Sequence, residues 1–194
     1  MQNSDKAKKV YLLAADGFEE VEGLTVVDLL RRDGIDIKIV SVSENKKIIG
    51  ARKICITADL TIADIDLNAD MIILPGGQPG VNNLSDNEKV KEIIFSYYKT
   101  NKLIGAICAA PMILGNMNLL KGKKATIYPG MEDKLNGGIW MGEKTSVAVD
   151  LPFVTSRGVG TSIDFALKII EILDSSEASY KIAESVVYHK EEIR

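Results

Sequence analysis

The chain has 194 residues, of which 46% are hydrophobic, which suffices for one domain with a sizeable core over residues 1–194. Its net charge of −3 offers no basic surface for nucleic acid. A polar N-terminus precedes a short apolar run, which predicts neither a signal peptide nor a membrane span, and two cysteines are too few for a disulfide framework. We therefore expect a cytoplasmic protein with no nucleic-acid or membrane partner.

The predicted elements alternate between strands and helices along the chain. Apolar runs and period-two patterns predict strands at 10–14, 37–42, 71–74, 103–107, 125–128, 146–149 and 153–156, and edge-strand material around a turn at 54–60. Periods near 3.6 predict a first helix that ends near 32 and further helices at 88–100, 112–114, 161–173 and 177–188. A capping box that begins at Ser85 marks the start of the second helix. This alternation predicts an α/β fold with three layers around a doubly wound, mostly parallel sheet.

The stretch 102–111 places a reactive residue type at a characteristic turn. Its apolar part predicts a buried central strand, and Pro111 fits the first turn of the helix that follows. Cys108 would then lie on a tight strand-to-helix turn at the carboxyl edge of the sheet, near a helix N-terminus that favours a thiolate. The alternative is an inert thiol in the core.

Glycine-rich turns follow two other predicted strands and would meet Cys108 at the same edge of the sheet. Gly76 and Gly77 offer two unhindered backbone N–H groups, which would form an oxyanion hole beside a nucleophile or else only a turn. Arg157, in the second turn, would bind an anion or a carbonyl group; alternatively, this segment is only a helix start that Thr161 caps.

Three acids, Glu19, Glu20 and Glu22, surround the start of the first helix. Carboxylates are favoured at a helix N-terminus, and most of them there are simply solvated. Their spacing prevents all three from facing the same way. One that points inward toward the sheet edge would lose its hydration, and its raised pKa would let it donate a proton to a thiolate.

The other cysteine and the single histidine are predicted to take no part in chemistry. Cys55 lies in a predicted strand, where packing is the expected role. His189 lies among charged residues near the chain end and is expected at the surface. Cys-His hydrolases and histidine-rich metal sites would both depend on that one histidine. We therefore expect no metal and no cofactor.

Four segments together resemble one family. They are Phe-Glu-Glu-Val-Glu at 18–22, Leu-Pro-Gly-Gly at 74–77, Ala-Ile-Cys-Ala-Ala-Pro at 106–111 and Thr-Ser-Arg-Gly-Val-Gly-Thr at 155–161. Their order and spacing resemble those of the ThiJ/PfpI superfamily, and more narrowly of its DJ-one-like branch around the Parkinson-associated protein deglycase. The resemblance implies a flavodoxin-like, class I glutamine amidotransferase-like sandwich and a homodimer.

The resemblance also implies roles for individual residues. Cys108 corresponds to a nucleophilic, oxidation-prone cysteine, and Glu22 to the buried acid that hydrogen-bonds it. The other implied site residues are Glu19, the oxyanion donors Gly76, Gly77 and Ala109, and an arginine from the partner subunit that maps onto Arg52.

Two departures from the family pattern restrict the chemistry. The protease-like and chaperone-like cousins carry a histidine directly after the cysteine, where this chain has Ala109. This substitution argues against a Cys-His protease and against amidotransferase chemistry. Some members of the branch place a pocket histidine where this chain has Tyr128, which offers a hydrogen bond but does not titrate near neutral pH.

The leading hypothesis is a cofactor-independent glyoxalase or protein deglycase. Its substrates would be 2-oxoaldehydes such as methylglyoxal, which it would convert to lactate, or glycated thiols and amines. The alternative is an oxidative-stress sensor or redox-regulated chaperone that uses the same cysteine. A purely structural cysteine is the third possibility.

Overall fold

The computed structural model describes residues 8–188, so the surface position expected for His189 lies outside the described residues. The strands in this range are β1 (Lys9–Ala14), β2 (Asp36–Ser41), β3 (Lys47–Ile49), β4 (Cys55–Thr57), β5 (Leu60–Thr61), β6 (Met71–Leu74), β7 (Leu103–Ile107), β8 (Lys124–Ala125), β9 (Ile139–Trp140), β10 (Val147–Asp150) and β11 (Phe153–Ser156). The helices are α1 (Glu20–Arg32), α2 (Gly80–Asp86), α3 (Glu88–Lys99), α4 (Pro111–Asn116), α5 (Ser162–Leu173) and α6 (Ser176–Ser185).

Seven of these strands form one sheet in the order β10-β11-β7-β6-β1-β2-β5. Every neighbouring pair in it is parallel except β10 and β11. The central strands are apolar throughout, as expected of parallel strands that are covered on both faces. The predicted doubly wound, mostly parallel sheet is confirmed.

Helices cover both faces of this sheet. Side chains alternate along β1, so that Tyr11 and Leu13 pack in one core with α2, α3 and α4, whereas Val10 and Leu12 pack in the other with α1 and α5. Both cores consist mainly of fully buried aliphatic side chains. The result is the three-layer arrangement that the alternating pattern predicts.

Two predicted strands are shorter than their sequence patterns indicate. The range 54–60 divides into β4, which pairs with β3 in an antiparallel hairpin outside the main sheet, and β5, which joins the edge of that sheet. The strand predicted at 125–128 keeps only β8. Beyond it the N–H of Thr126 donates to Thr155 Oγ1 and the N–H of Tyr128 donates to the carbonyl of Cys108, so these donors form no ladder.

The start of α3 differs from the sequence prediction. The segment 80–86 forms α2, which the sequence did not predict, and it places Ser85 inside a helix. Asn87 is the N-cap of α3, and its side chain accepts a hydrogen bond from the N–H of Val90 at 3.2 Å. The capping box predicted at Ser85 is therefore wrong, since α2 ends one residue before the true cap.

The chain order brings three loops to one edge of the sheet. From β1 the chain proceeds to β2 on one side, while β6 and β7 lie on the other side, so β1 and β6 flank the point where the direction of winding reverses. Ligands of such sheets bind outside the strand carboxyl ends at this point. The segments that follow β1, β6 and β7 carry Glu22, in the first turn of α1, and the loop residues Gly76 and Cys108.

Candidate active site

Cys108 occupies a tight turn between β7 and α4. Its φ is +64°, a left-handed conformation that is uncommon for residues with a side chain. Its N–H donates to the carbonyl of Ser156 at 3.0 Å, and its own carbonyl accepts from the N–H of Tyr128 at 2.8 Å. Pro111 begins α4, as predicted. The end of β11 and the loop that contains Tyr128 thus hold the turn, and the half-buried thiol faces an open pocket.

Glu22 is the acid that points inward from α1. It is fully buried, and its Oε2 accepts a hydrogen bond from the N–H of Gly76 at 2.9 Å. No nitrogen or oxygen donor of residues 8–188 hydrogen-bonds its Oε1. The carboxyl group instead interacts with the thiol of Cys108.

The two groups shift each other's titration. Burial raises the pKa of Glu22 to about 7, and the charge of Glu19 adds to this, while the hydrogen bonds with Cys108 and Gly76 oppose it. Burial and the facing Glu22 carboxylate raise the pKa of Cys108 to about 12, although the N–H groups of Ala109 and Gly77 lower it. The sequence analysis expected the N-terminus of α4 to favour a thiolate at Cys108. Burial and the Glu22 carboxylate outweigh that effect, because the pKa of the thiol is raised. Both groups therefore carry a proton below about pH 7, and above that pH the ionised Glu22 carboxylate faces a thiol that keeps its proton.

The predicted oxyanion donors divide into two groups. The N–H groups of Gly77 and Ala109 both interact with the sulfur of Cys108 and lower its pKa, so they lie beside the place that a bound carbonyl oxygen would occupy. The N–H of Gly76 donates to Glu22 and is therefore not available to a substrate, which corrects the expectation for Gly76. A Cβ on Gly76 would lie only 2.5 Å from both Cys108 Cβ and Glu22 Oε2, so the residue permits the close approach of the pair.

The other two acids at the start of α1, Glu19 and Glu20, are also buried, which excludes the solvated alternative. Glu19 is 8% exposed and Glu20 is 2% exposed. Glu19 lines the pocket, whereas Glu20 turns away from it and accepts hydrogen bonds from the N–H groups of Arg52 and Ile54.

Arg52 reaches the pocket of its own chain. It lies between β3 and β4, and its Nη2 is 3.5 Å from Oε2 of Glu19. Arg52 lines the pocket of its own chain because Glu20 and neighbouring backbone groups dock the hairpin onto the start of α1; that a partner subunit supplies this arginine stays a prediction. Cys55, in the same hairpin, lies in a strand as predicted but is exposed and does not pack in the core.

The turn after β11 supplies the opposite wall of the pocket. Arg157 lines the pocket, and its Nη1 donates to the carbonyl of Glu143. Thr161 occupies the N-cap position of α5 but does not cap it through its side chain. Its hydroxyl instead bonds to Ser156 Oγ at 2.7 Å and accepts from the N–H groups of Arg157 and Gly158 at 3.2 and 3.1 Å. The role predicted for Thr161 is thus replaced by one inside the turn.

These groups enclose a cavity of about 660 Å³. All predicted site residues except Gly76 line it, including the half-exposed Tyr128. The sequence did not indicate Met131, which also lines the cavity, because no motif marks it, whereas Val159 lines it from the 155–161 segment. Gly158 belongs to a turn that the sequence did single out, and a Cβ there would lie 3.8 Å from both Cys108 Sγ and Glu22 Oε1.

Across residues 8–188 no group of three or more histidine, cysteine or acidic side chains could hold a metal ion. None of the helices in the described part of the chain has the length and apolar character that crossing a membrane requires.

A family model described as "DJ-1/PfpI family" matches residues 8–172. The chain belongs to the DJ-1/PfpI family. The family's flavodoxin-like α/β fold is the fold described above, and the resemblance found in the four sequence segments is confirmed.

Individual relatives extend over most of the chain. Protein DJ-1 homolog B of Arabidopsis thaliana is 34% identical over 89% of the chain, which spans only 40% of that longer protein. The protein named glutathione-independent glyoxalase DJR-1.2 of Caenorhabditis elegans is 31% identical over 86% of the chain and 88% of its own length. The solved structure of oxidized Toxoplasma gondii DJ-1 superposes with a TM-score of 0.88 at 35% identity, and the alignment covers 94% of the chain and 99% of that structure.

Proposed function

We propose that this protein is a cofactor-independent glyoxalase or protein deglycase that acts on 2-oxoaldehydes or on early glycation adducts. The observation that carries the proposal is the pairing of the Cys108 thiol with the buried carboxyl of Glu22, beside the N–H groups of Gly77 and Ala109. A nucleophile, a proton carrier and an oxyanion site are the groups that such a reaction needs. The name of the Caenorhabditis elegans relative supports the same activity.

The proposed reaction begins when Cys108 Sγ attacks the aldehyde carbon of methylglyoxal and the thiol proton passes to Glu22. The aldehyde oxygen, which gains negative charge in this step, accepts hydrogen bonds from Gly77 and Ala109 and then takes the proton back from Glu22, which gives a hemithioacetal. The Glu22 carboxylate next removes the proton from the former aldehyde carbon, and the neighbouring carbonyl oxygen gains a proton, which gives an enediol. Glu22 returns its proton to the adjacent carbon, and the hydroxyl group on the former aldehyde carbon loses its own proton. The product is a thioester of lactate, and water releases lactate and restores the thiol. The oxidation of one carbon balances the reduction of its neighbour, so no cofactor is required.

A deglycase activity would use the same steps on glycated thiols and amines. The adduct carbon that came from the aldehyde takes the place of the free carbonyl. Because such adducts also release free aldehyde, lactate formed from them does not by itself distinguish the two activities.

The test is lactate formation from methylglyoxal in the absence of glutathione. We expect Cys108→Ser and Glu22→Gln to lose at least about 100-fold in kcat/KM, the usual effect of removing a nucleophile or a general acid–base. Cys55→Ser is the matched control, since Cys55 is exposed on β4, and it should retain wild-type turnover. Wild-type turnover in Cys108→Ser or Glu22→Gln would refute the mechanism.

A redox function is the second candidate. It is favoured by Oε1 of Glu22, which has no hydrogen-bond partner among residues 8–188. A thiol that reaches a pocket can pass to sulfenic and sulfinic acid, and the unpartnered Oε1 of a protonated Glu22 would hydrogen-bond the sulfinate. A related DJ-1 structure is that of an oxidized protein. Mass spectrometry after mild peroxide should find Cys108 oxidised before the exposed Cys55. A Cys108 that stays reduced while Cys55 oxidises would contradict a sensor or redox-regulated chaperone.

We also propose a homodimer in the cytoplasm. Three exposed apolar side chains, those of Val21, Ile49 and Ile54, lie on α1 and at the β3–β4 hairpin, where a second copy would cover them. Light scattering coupled to size exclusion should give twice the chain mass of 21.2 kDa. A monomer mass at micromolar concentration would contradict the dimer.

A further inference from the structure

We propose that Glu20 is a positioning residue that fixes the tip of the β3–β4 hairpin, residues 50–54, so that Arg52 stands beside Glu19 at the active-site pocket. Neither a pocket contact nor a catalytic role accounts for Glu20, although it is as deeply buried as its neighbours in α1. The inference deepens the proposed function, because it concerns the same pocket and rests on the Cys108–Glu22 pair.

Glu20 binds the hairpin tip through its backbone. Its Oε1 accepts hydrogen bonds from the N–H of Arg52 at 2.8 Å and from the N–H of Ile54 at 3.3 Å. Its Oε2 has no hydrogen-bond partner within the described range. The carboxylate thus replaces water for two donors that the short hairpin loop leaves unpaired.

The surrounding chain is shaped to admit this side chain. A Cβ on Gly50 would lie 2.2 Å from the carboxyl carbon of Glu20, so only glycine leaves room there. The N–H of Ala51 donates to the carbonyl of Phe18 at 2.8 Å, which ties the same tip to the loop before α1. Glu20 and this backbone bond together dock the tip against the start of α1.

Arg52 depends on this docking for its place. Its side chain is 72% exposed, and its ion pair with Glu19 is long, at 3.5 Å, so the side chain contributes little to holding the loop. The position of the guanidinium at the pocket is therefore set mainly by where the backbone of residue 52 is fixed.

The charge that Arg52 brings bears on the catalytic pair. Within residues 8–188, the charged and titratable groups that line the pocket with Glu22 are Cys108, Glu19, Arg52, Arg157 and Tyr128. The negative charge of Glu19 raises the pKa of Glu22, and the guanidinium of Arg52 offsets that charge. If the tip moves away, the charge of Glu19 is less compensated, and Glu22 should titrate at a higher pH.

The experiment measures the rate at which iodoacetamide alkylates Cys108 as a function of pH. Mass spectrometry separates the Cys108 product from that of Cys55, which serves as the internal control for reagent strength. The proteins are the full-length wild type and the variants Glu20→Ala, Glu20→Gln, Arg52→Ala and the double variant Glu20→Ala/Arg52→Ala. This readout needs no aldehyde, so a failure of the glyoxalase proposal, seen as no lactate, is distinguishable from a failure of this one.

The ionisation of Glu22 should produce an inflection in the plot of alkylation rate against pH. We expect Arg52→Ala to move this inflection to a higher pH by about 0.5, which is the scale of an exposed ion pair. Glu20→Ala should move it in the same direction, and the double variant should move it no further than Arg52→Ala alone. Glu20→Gln should keep the wild-type inflection, because the amide oxygen of the glutamine can accept hydrogen bonds from the same two N–H groups. If Glu20→Ala does not fold, Glu20→Asp, whose carboxylate is too short to reach both donors, takes its place.

Three results would overturn the proposal. One is a wild-type inflection in Glu20→Ala, or in Glu20→Asp where it replaces that variant. Another is an equal, additive shift when Glu20→Ala is added to Arg52→Ala, since this would mean that Glu20 acts independently of Arg52. The third is an unchanged inflection in Arg52→Ala itself.

Discussion

The N–H of Gly76 holds Oε2 of Glu22 at 2.9 Å, and this single bond turns the carboxyl group toward the thiol of Cys108. It joins the loop after β6 to the first turn of α1, two elements that are 54 residues apart in the chain. The bond orients the acid but does not compensate for its burial, because the pKa of Glu22 stays raised, at about 7. The protein therefore holds at its reactive centre a carboxyl group that is costly to ionise.

The first prediction concerns stability against pH for Glu22→Gln. A carboxyl whose pKa is raised on folding from 4.5 to about 7 contributes stability below pH 4.5, and that contribution is lost as the pH rises through 7. The shift corresponds to about 3 kcal/mol in the free energy of unfolding. Urea denaturation at pH 5 and pH 8 should show this loss in the wild type and a smaller one in Glu22→Gln. Equal pH dependence in the two proteins would contradict the burial of an ionisable Glu22.

The second prediction concerns the space between the two reactive groups. In Gly76→Ala the added methyl group would overlap Cys108 Cβ and Glu22 Oε2, each only 2.5 Å away. We expect a loss of about 2 kcal/mol in unfolding free energy, as for other overpacked sites, together with slower alkylation of Cys108. Gly160→Ala is the matched control, because a Cβ there meets nothing within 4 Å. Equal stability of the two variants would show that the pair tolerates a wider separation.

The sequence predicts the features of this site that depend on local structure, but not those that depend on contacts between distant segments of the chain. The turn at Cys108 was predictable, since an apolar strand that ends just before a proline leaves few alternatives for the chain. The choice of Glu22 over Glu19 and Glu20 came only from the family resemblance, because helical spacing shows that the three diverge but not which one faces the sheet edge. The hydrogen bond from the N–H of Gly76 to Glu22 joins two segments that are far apart in the chain, and no local sequence pattern predicts such a contact.

The same distinction between local patterns and distant contacts explains where the predicted fold differs from the observed one. The hairpin of β3 and β4 was missed in part because its strands have only three residues each, too few to establish a period-two pattern. The assignment of Arg52 to a partner subunit came from the family resemblance, and no local pattern indicated that this residue lines the pocket of its own chain. Thr161 has the residue type of a helix cap, but three groups of the preceding turn compete for its hydroxyl and retain it.

The third prediction tests that competition. Thr161→Val keeps the shape of the side chain but removes the hydroxyl that connects Ser156, Arg157 and Gly158. We expect a loss of about 2 kcal/mol in unfolding free energy, because buried donors lose their partner, and a higher KM for methylglyoxal. Ser162→Ala is the control: its neighbouring hydroxyl is buried without a hydrogen-bond partner in residues 8–188, so its removal should be nearly neutral. A larger loss in Ser162→Ala than in Thr161→Val would contradict this assignment.

The fourth prediction distinguishes the two candidate caps of α3. The Asn87 side chain accepts a hydrogen bond from the N–H of Val90 at 3.2 Å and donates one to the carbonyl of Val42 at 3.0 Å. Asn87→Ala removes both bonds. Its unfolding free energy should fall by about 1 kcal/mol, the usual value of an N-cap. Ser85 lies inside α2, and its side chain makes no hydrogen bond within the described residues, so Ser85→Ala should change stability by less than about 0.5 kcal/mol. Thermal and urea denaturation of both variants measure the difference. A greater loss in Ser85→Ala would restore the capping box that the sequence indicates, and would place the start of α3 before Asn87.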